Sequence, residues 1–109
     1  MKNIIVEKYF GFRECERYLE DRAKNGWVLC GFTYTCSLKD VFVVTYKKGR
    51  PENARFMINK YVENNLNTIE LVLNQDVDDS WELVSSSWHV ASLVLVNKDI
   101  LVAVYKQRL

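Results

Sequence analysis

The stretch that most limits what this chain can fold into occurs twice. Lys39 to Lys48 reads Lys-Asp-Val-Phe-Val-Val-Thr-Tyr-Lys-Lys, and Lys98 to Gln107 reads Lys-Asp-Ile-Leu-Val-Ala-Val-Tyr-Lys-Gln. Five of the ten positions are identical, and the changes Val41 to Ile100 and Phe42 to Leu101 keep a large apolar side chain. β-branched and aromatic residues dominate both copies, so each suits a strand. If the unit is duplicated, the residues upstream should repeat as well. At an offset of 54, Phe12, Cys15, Leu19, Ala23, Gly26, Trp27 and Leu29 fall on Leu66, Ile69, Leu73, Val77, Ser80, Trp81 and Leu83; at an offset of 52, Val6 to Tyr9 falls on Ile58 to Tyr61. The spacing 12, 15, 19, 23 is one face of a helix, apolar in both copies.

Each unit therefore reads strand, helix, strand, strand. The expected fold is α+β: a tandem βαββ repeat with a pseudo-two-fold arrangement, mainly antiparallel, with two helices on one face. The units span 1–49 and 55–109, and the linker 50–54 holds the only proline, Pro51. With 109 residues the two make one domain, because half of that length is too small to be stable alone.

The first helix is expected from Phe12 to about Lys24, with Gly11 as N-cap and Glu14 in the first turn, where the dipole favours an anion. Its polar face, including Glu14, Glu16, Glu20 and Arg22, reads as solvated, with weak ion pairs. Asn25-Gly26 stops it. Asn65 is the expected N-cap of a second helix running from Leu66 to about Asp76; Leu71-Val72-Leu73 predicts that this helix is the more buried of the two or touches a partner. Trp27 and Trp81 are placed to cover the helix ends against the sheet. Turns are expected at Ser37 to Asp40 and at Lys98-Asp99, and Trp81 to Trp88 and His89 to Val96 form one bent strand or two.

The last strands of the units are apolar on both faces. Val41, Val43 and Thr45 oppose Phe42, Val44 and Tyr46, whereas a sheet with one wet face alternates apolar with polar. Two helices cover one face only. The other is closed by packing of the two half-sheets or by a second chain, and a homodimer is expected.

Charge excludes some partners. Fifteen Lys and Arg stand against 14 Asp and Glu, which gives no bulk attraction to nucleic acid or an anionic membrane. No apolar run reaches a membrane span, and the charged start lacks a signal peptide's apolar segment, so a cytoplasmic location is expected. Cys15, Cys30 and Cys36 contain no C-x-x-C pair and read as reduced, buried thiols. No nucleophile elbow, P-loop, G-x-G-x-x-G or H-E-x-x-H is present. His89, the only histidine, reads as packed or solvent-facing; catalysis there would need a carboxylate or thiol within reach. No enzymatic activity, cofactor or metal is expected.

Two sets of residues remain as candidate binding sites. Tyr46-Lys47 and Tyr105-Lys106 recur at strand ends, and four such side chains converging on a cleft between the units would suit a small ligand or nucleotide. Asp76, Asp78 and Asp79 align with Arg22, Lys24 and Asn25, so equivalent helix ends differ in charge; the acidic set would meet a basic partner or a cation. The D-V-D-D spacing does not fit a calcium loop.

A helix, then Asn25-Gly26-Trp27-Val28-Leu29, then a hairpin closing on Val44-Thr45-Tyr46-Lys47, resembles small bacterial and phage domains of unknown function, in which Gly-Trp-x-Leu follows a helix. The second copy departs by having Ser80 for the glycine. The resemblance implies an accessory or regulatory βαββ module and carries over no catalytic residue. The leading expectation is a non-enzymatic protein–protein interaction or regulatory module, including a small inhibitor of the kind phages and mobile elements encode. The alternative is a small-ligand or nucleotide binder using the cleft.

Overall fold

The computed structural model describes residues 2–36, 38–92 and 97–109, except the side chains of Asp76, Ala91 and Ser92. In chain order the elements are β1 (Ile4–Phe10), α1 (Phe12–Lys24), β2 (Trp27–Cys36), β3 (Asp40–Lys48), β4 (Ala54–Glu63), α2 (Leu66–Asp76), β5 (Glu82–Ser92) and β6 (Asn97–Arg108). The helix ends follow local chemistry. Gly11 takes a positive φ of 91° at the start of α1, and the Glu14 carboxylate reaches back to accept the Phe10 N–H at 2.6 Å. Gly26 ends the stop with φ 84°, and a Cβ there would sit 3.1 Å from the Gly49 carbonyl oxygen. The Asn65 side chain caps α2 by accepting the Thr68 N–H at 2.9 Å.

The strands form two three-stranded antiparallel sheets, β1-β3-β2 and β4-β6-β5, so the fold is α+β with two helices and two sheets. The repeated decapeptide supplies the central strand of each, β3 and β6, where a strand is paired on both sides. Register slips by one residue between Leu29 and Gly31 in β2 and between Leu83 and Ser85 in β5, a bulge in each hairpin.

One core joins the sheets. The helix side of sheet 1 (Phe42, Val44 and Tyr46 with Phe32 and Tyr34) packs with Cys15, Leu19 and Ala23 of α1 and with the facing side of sheet 2 (Phe56, Ile58, Val102 and Val104). The opposite side of sheet 2, with Tyr61, Ala103 and Tyr105, packs under Ile69, Val72 and Leu73 of α2. β6 is thus covered on both faces, which its unbroken apolar run requires. α1 also lies along β4, where Glu20 accepts the Phe56 N–H at 3.1 Å and Glu16 the Ile58 N–H at 2.7 Å. These are outward-facing donors of an edge strand, which the two carboxylates close.

This arrangement corrects several expectations. The strands do not form one sheet with both helices on one face: α1 is wedged between the sheets and α2 lies on the far side of sheet 2, because each sheet carries its own helix and sheet 2 turns its bare face to α1. Of the two closures expected for the bare face, packing of half-sheets occurs, but only for sheet 2. Lys98 and Asp99 are not a turn; they pair with Ala91 and Val90 inside the β5–β6 ladder. Residues 82–92 are a single strand with a bulge, and the part of the expected strand at 93–96 lies outside the described residues. α2 is less buried than α1, with Leu66 and Leu71 exposed. Glu16, Glu20 and Arg22 are not idle surface charge, since Arg22 clasps Glu7 of β1 through Nε at 2.7 Å and Nη2 at 2.5 Å. Only Cys15 is buried; Cys30 and Cys36 are exposed. Among the described residues, no helix is long and apolar enough to cross a membrane.

Candidate interaction surface

The tyrosines and lysines singled out in the sequence are dispersed. Tyr46 is fully buried in the main core, its hydroxyl 2.9 Å from that of Tyr9. Tyr9 in turn donates to Glu7 at 2.6 Å. Burial raises the Tyr9 and Tyr46 pKa values above the ordinary phenol range, while the Arg22 clasp holds the Glu7 carboxyl below its usual value. This network ties β1 to α1, and Glu7, Tyr9 and Arg22 wall an open groove of about 460 Å³ with Glu14 and Tyr18. Tyr105 sits in the second core, 3.3 Å from the Tyr61 hydroxyl. Lys106 pairs with Glu52 at 3.0 Å and lines a cavity of about 70 Å³ between the sheets, with Ala23, Trp27, Arg50 and Phe56 among its walls. That holds a few waters, whereas a ligand pocket takes roughly 300–1,000 Å³. Lys47 is exposed on the other side of sheet 1 from Tyr46. The four therefore do not converge on one cleft.

The acidic candidates fare differently. Asp78 accepts from the Ser80 N–H at 2.8 Å and the Ser80 hydroxyl at 2.5 Å, and these bonds hold its pKa low. Asp78 and Asp79 then line an open groove on the α2 side of sheet 2 with Leu73, Trp81, Leu83 and Tyr105. Asp76 ends α2, and its side chain lies outside the described residues.

Of the remaining reactive groups, Tyr34 donates its hydroxyl to Asp40 and lies beside His89. His89 packs its ring 5.6 Å from Tyr34, and its buried Nδ1 has no hydrogen-bond partner among the described residues. Burial pushes the Cys15 thiol up to about 12, so it stays protonated. Cys30 donates to the Thr45 carbonyl at 3.4 Å. Among the described residues, no group of three or more His, Cys, Asp or Glu is placed to hold a metal.

What stands out is apolar surface. On β1 the side chains at 4, 6, 8 and 10 point away from α1, and Ile4 and Val6 are each 62% exposed, with Phe10 exposed beside them. Val41, Val43 and Thr45 of β3 extend this outer face inward across the sheet. Its charged residues, Lys8 and Lys47, are both basic. β1 is also an edge strand. The Lys48 N–H bonds to the Asn3 carbonyl at 3.0 Å, which fixes the ladder phase so that the N–H groups of Ile4 and Val6 face away from β3. A second apolar patch lies on the α2 side of sheet 2: Leu66, Leu83, Trp88 and Val90 are exposed, the indole N–H of Trp88 bonded to Asp99 at 2.8 Å. The radius of gyration, 14.7 Å, exceeds the roughly 13 Å of a fully compact chain of this length because the molecule is elongated, 49 × 31 × 19 Å. Sequence alternation marked β3 as apolar on both faces; it gave no signal for which sheet would stay open.

Compared with known proteins, the chain matches no protein-family model, no curated protein and no solved structure.

Proposed function

We propose that this chain is a non-enzymatic protein-interaction module of two tandem βαββ units, and that its docking surface is the outer face of sheet 1. The observation that carries the reading is the exposed row Ile4, Val6 and Phe10 on a free strand edge, contiguous with the apolar side of β3. A contiguous apolar patch with unpaired edge donors is costly in water and is what β-strand recognition or sheet stacking uses. The two-unit part of the reading is supported by the identical strand order of the two sheets and by bulges at Leu29/Gly31 and Leu83/Ser85, positions 54 residues apart.

The test compares the native chain with an Ile4→Lys, Val6→Lys double variant. Both positions are exposed, so the variant should keep the native melting temperature within a few degrees. Every association of the native chain, with itself or with a protein retained on a column of it, should weaken at least tenfold in the variant. Equal retention by the two proteins, or no association of any kind by the native one, would end the reading.

A further inference from the structure

We infer that the occupant of the outer face of sheet 1 is a second copy of this chain, docked head to tail through the α2 side of its sheet 2. This rests on the two-unit reading above. Its source is an interface already present inside the molecule, where the facing side of sheet 2 lies against α1 and the helix side of sheet 1.

Three of the specific contacts across that internal interface have counterparts in the other unit. Glu16 of α1 accepts the Ile58 N–H, Glu20 accepts the Phe56 N–H, and Lys60 Nζ lies 5.5 Å from the centre of the Tyr34 ring, Tyr34 being 2% exposed. At the offsets of 52 and 54 that align the units, Phe56, Ile58 and Lys60 correspond to Ile4, Val6 and Lys8, while Glu16, Glu20 and Tyr34 correspond to Glu70, Asn74 and Trp88. The ladder registers agree with this: Ile4 faces Lys47 as Phe56 faces Lys106, and Tyr34 faces Phe42 as Trp88 faces Leu101.

Every one of these counterparts lies on an open surface. Ile4 and Val6 are exposed with outward N–H groups, Glu70 is exposed on α2, and Trp88 is 51% exposed where its equivalent is buried. The chain thus buries one such interface and leaves its two halves open at opposite ends, one on each unit. Between copies, Glu70 would accept the Val6 N–H, the Asn74 carbonyl oxygen the Ile4 N–H, and Lys8 would lie over the Trp88 indole. Charge fits as well. The outer face of sheet 1 presents Lys8 and Lys47, while α2 contains no Lys or Arg and carries Glu70, with Asp78 and Asp79 in the adjoining groove. The inverted charge at the end of the second helix thereby acquires a basic partner. Such a contact joins different surfaces of the two copies, so it extends into a chain or closes a ring, unlike a two-fold dimer.

The experiment is sedimentation velocity of the full chain over a concentration series with two variants. One carries Ile4→Lys and Val6→Lys; the other carries Glu70→Lys and Trp88→Ala. Circular dichroism and melting confirm that each is folded. The native chain should grow past a dimer with concentration. Each variant alone should stay monomeric, and their equimolar mixture should form a heterodimer and stop, because each supplies the half the other lacks. Self-association of the Glu70/Trp88 variant at native strength would mean that two outer faces meet each other; it would overturn the head-to-tail contact and leave the docking surface standing. A native chain that stays monomeric throughout would overturn the choice of a second copy, and retention of another protein then decides the docking reading separately.

Discussion

Replacing Glu16 by alanine tests whether the carboxylates of α1 hold the two sheets together. The Glu16 carboxylate is half-buried and accepts the N–H of buried Ile58 at 2.7 Å, across the seam between α1 and β4. A hydrogen bond to a charged group contributes about 1.5–3 kcal/mol, and removing the acceptor leaves a buried donor that costs about 1–3 kcal/mol. Alanine's better helix propensity returns only a few tenths. A loss of about 2 kcal/mol follows. Unfolding entropy of about 2.1 cal/mol/K per residue gives roughly 0.23 kcal/mol/K for this chain, so the melting temperature should fall by about 9 °C. Glu16→Gln keeps an oxygen at the same reach and should lose under about 1 kcal/mol. Asp21→Ala, on the exposed side of the same helix, is the control for generic charge effects and should stay within about 0.5 kcal/mol. Urea denaturation of the three variants reads these differences directly. If Glu16→Ala costs no more than Asp21→Ala, or Gln and Ala are equally destabilising, the carboxylate does not close the β4 edge.

Two further outcomes test other parts of the fold. Because the Arg22 clasp lowers the folded pKa of Glu7 below its unfolded value, the pair stabilises the protein fully above about pH 5 and less as pH falls through the folded pKa; Arg22→Met should therefore be clearly less stable than the native chain at pH 7, with a gap that narrows as the pH is lowered, and a gap that does not change with pH would refute the assignment. Gly26 has φ 84°, and a Cβ added to it would lie 3.1 Å from the Gly49 oxygen, whereas one added to Gly31 would meet nothing within 4 Å; Gly26→Ala should cost about 1–2 kcal/mol or more and Gly31→Ala about nothing, by thermal melting, with equal costs counting against the argument.

The parts of this fold that were legible in the sequence are those with a local cause. Asn65 before an apolar helical period and Gly26 after one set helix ends within a few residues, and the repeated decapeptide marked the two strands that become central. The number of sheets had no such cause: Val43 beside Val44 says only that both faces want cover, and does not say what supplies it. The sheets are joined by a shared apolar core and by polar groups acting over 36 to 53 residues, Glu20 to Phe56, Glu16 to Ile58 and the Tyr34 N–H to the Ser87 hydroxyl at 3.3 Å. In sequence Glu16, Glu20 and Ser87 look like ordinary surface residues.

A geometric signal was nonetheless available. Two residues four apart on a helix are separated by about 6 Å along its axis, and two outward N–H groups two apart on an antiparallel edge by about 6.8 Å. A pair of carboxylates at positions 16 and 20 is therefore matched to the edge donors at 58 and 56, which an isolated glutamate is not. The same spacing persists at Glu70 and Asn74, where the second acceptor is neutral and one carbon shorter. By this match the proposed contact between copies would have one charge-assisted hydrogen bond where the internal one has two, and would be the weaker of the two interfaces. Association between chains should accordingly be reversible under conditions where the fold itself is intact.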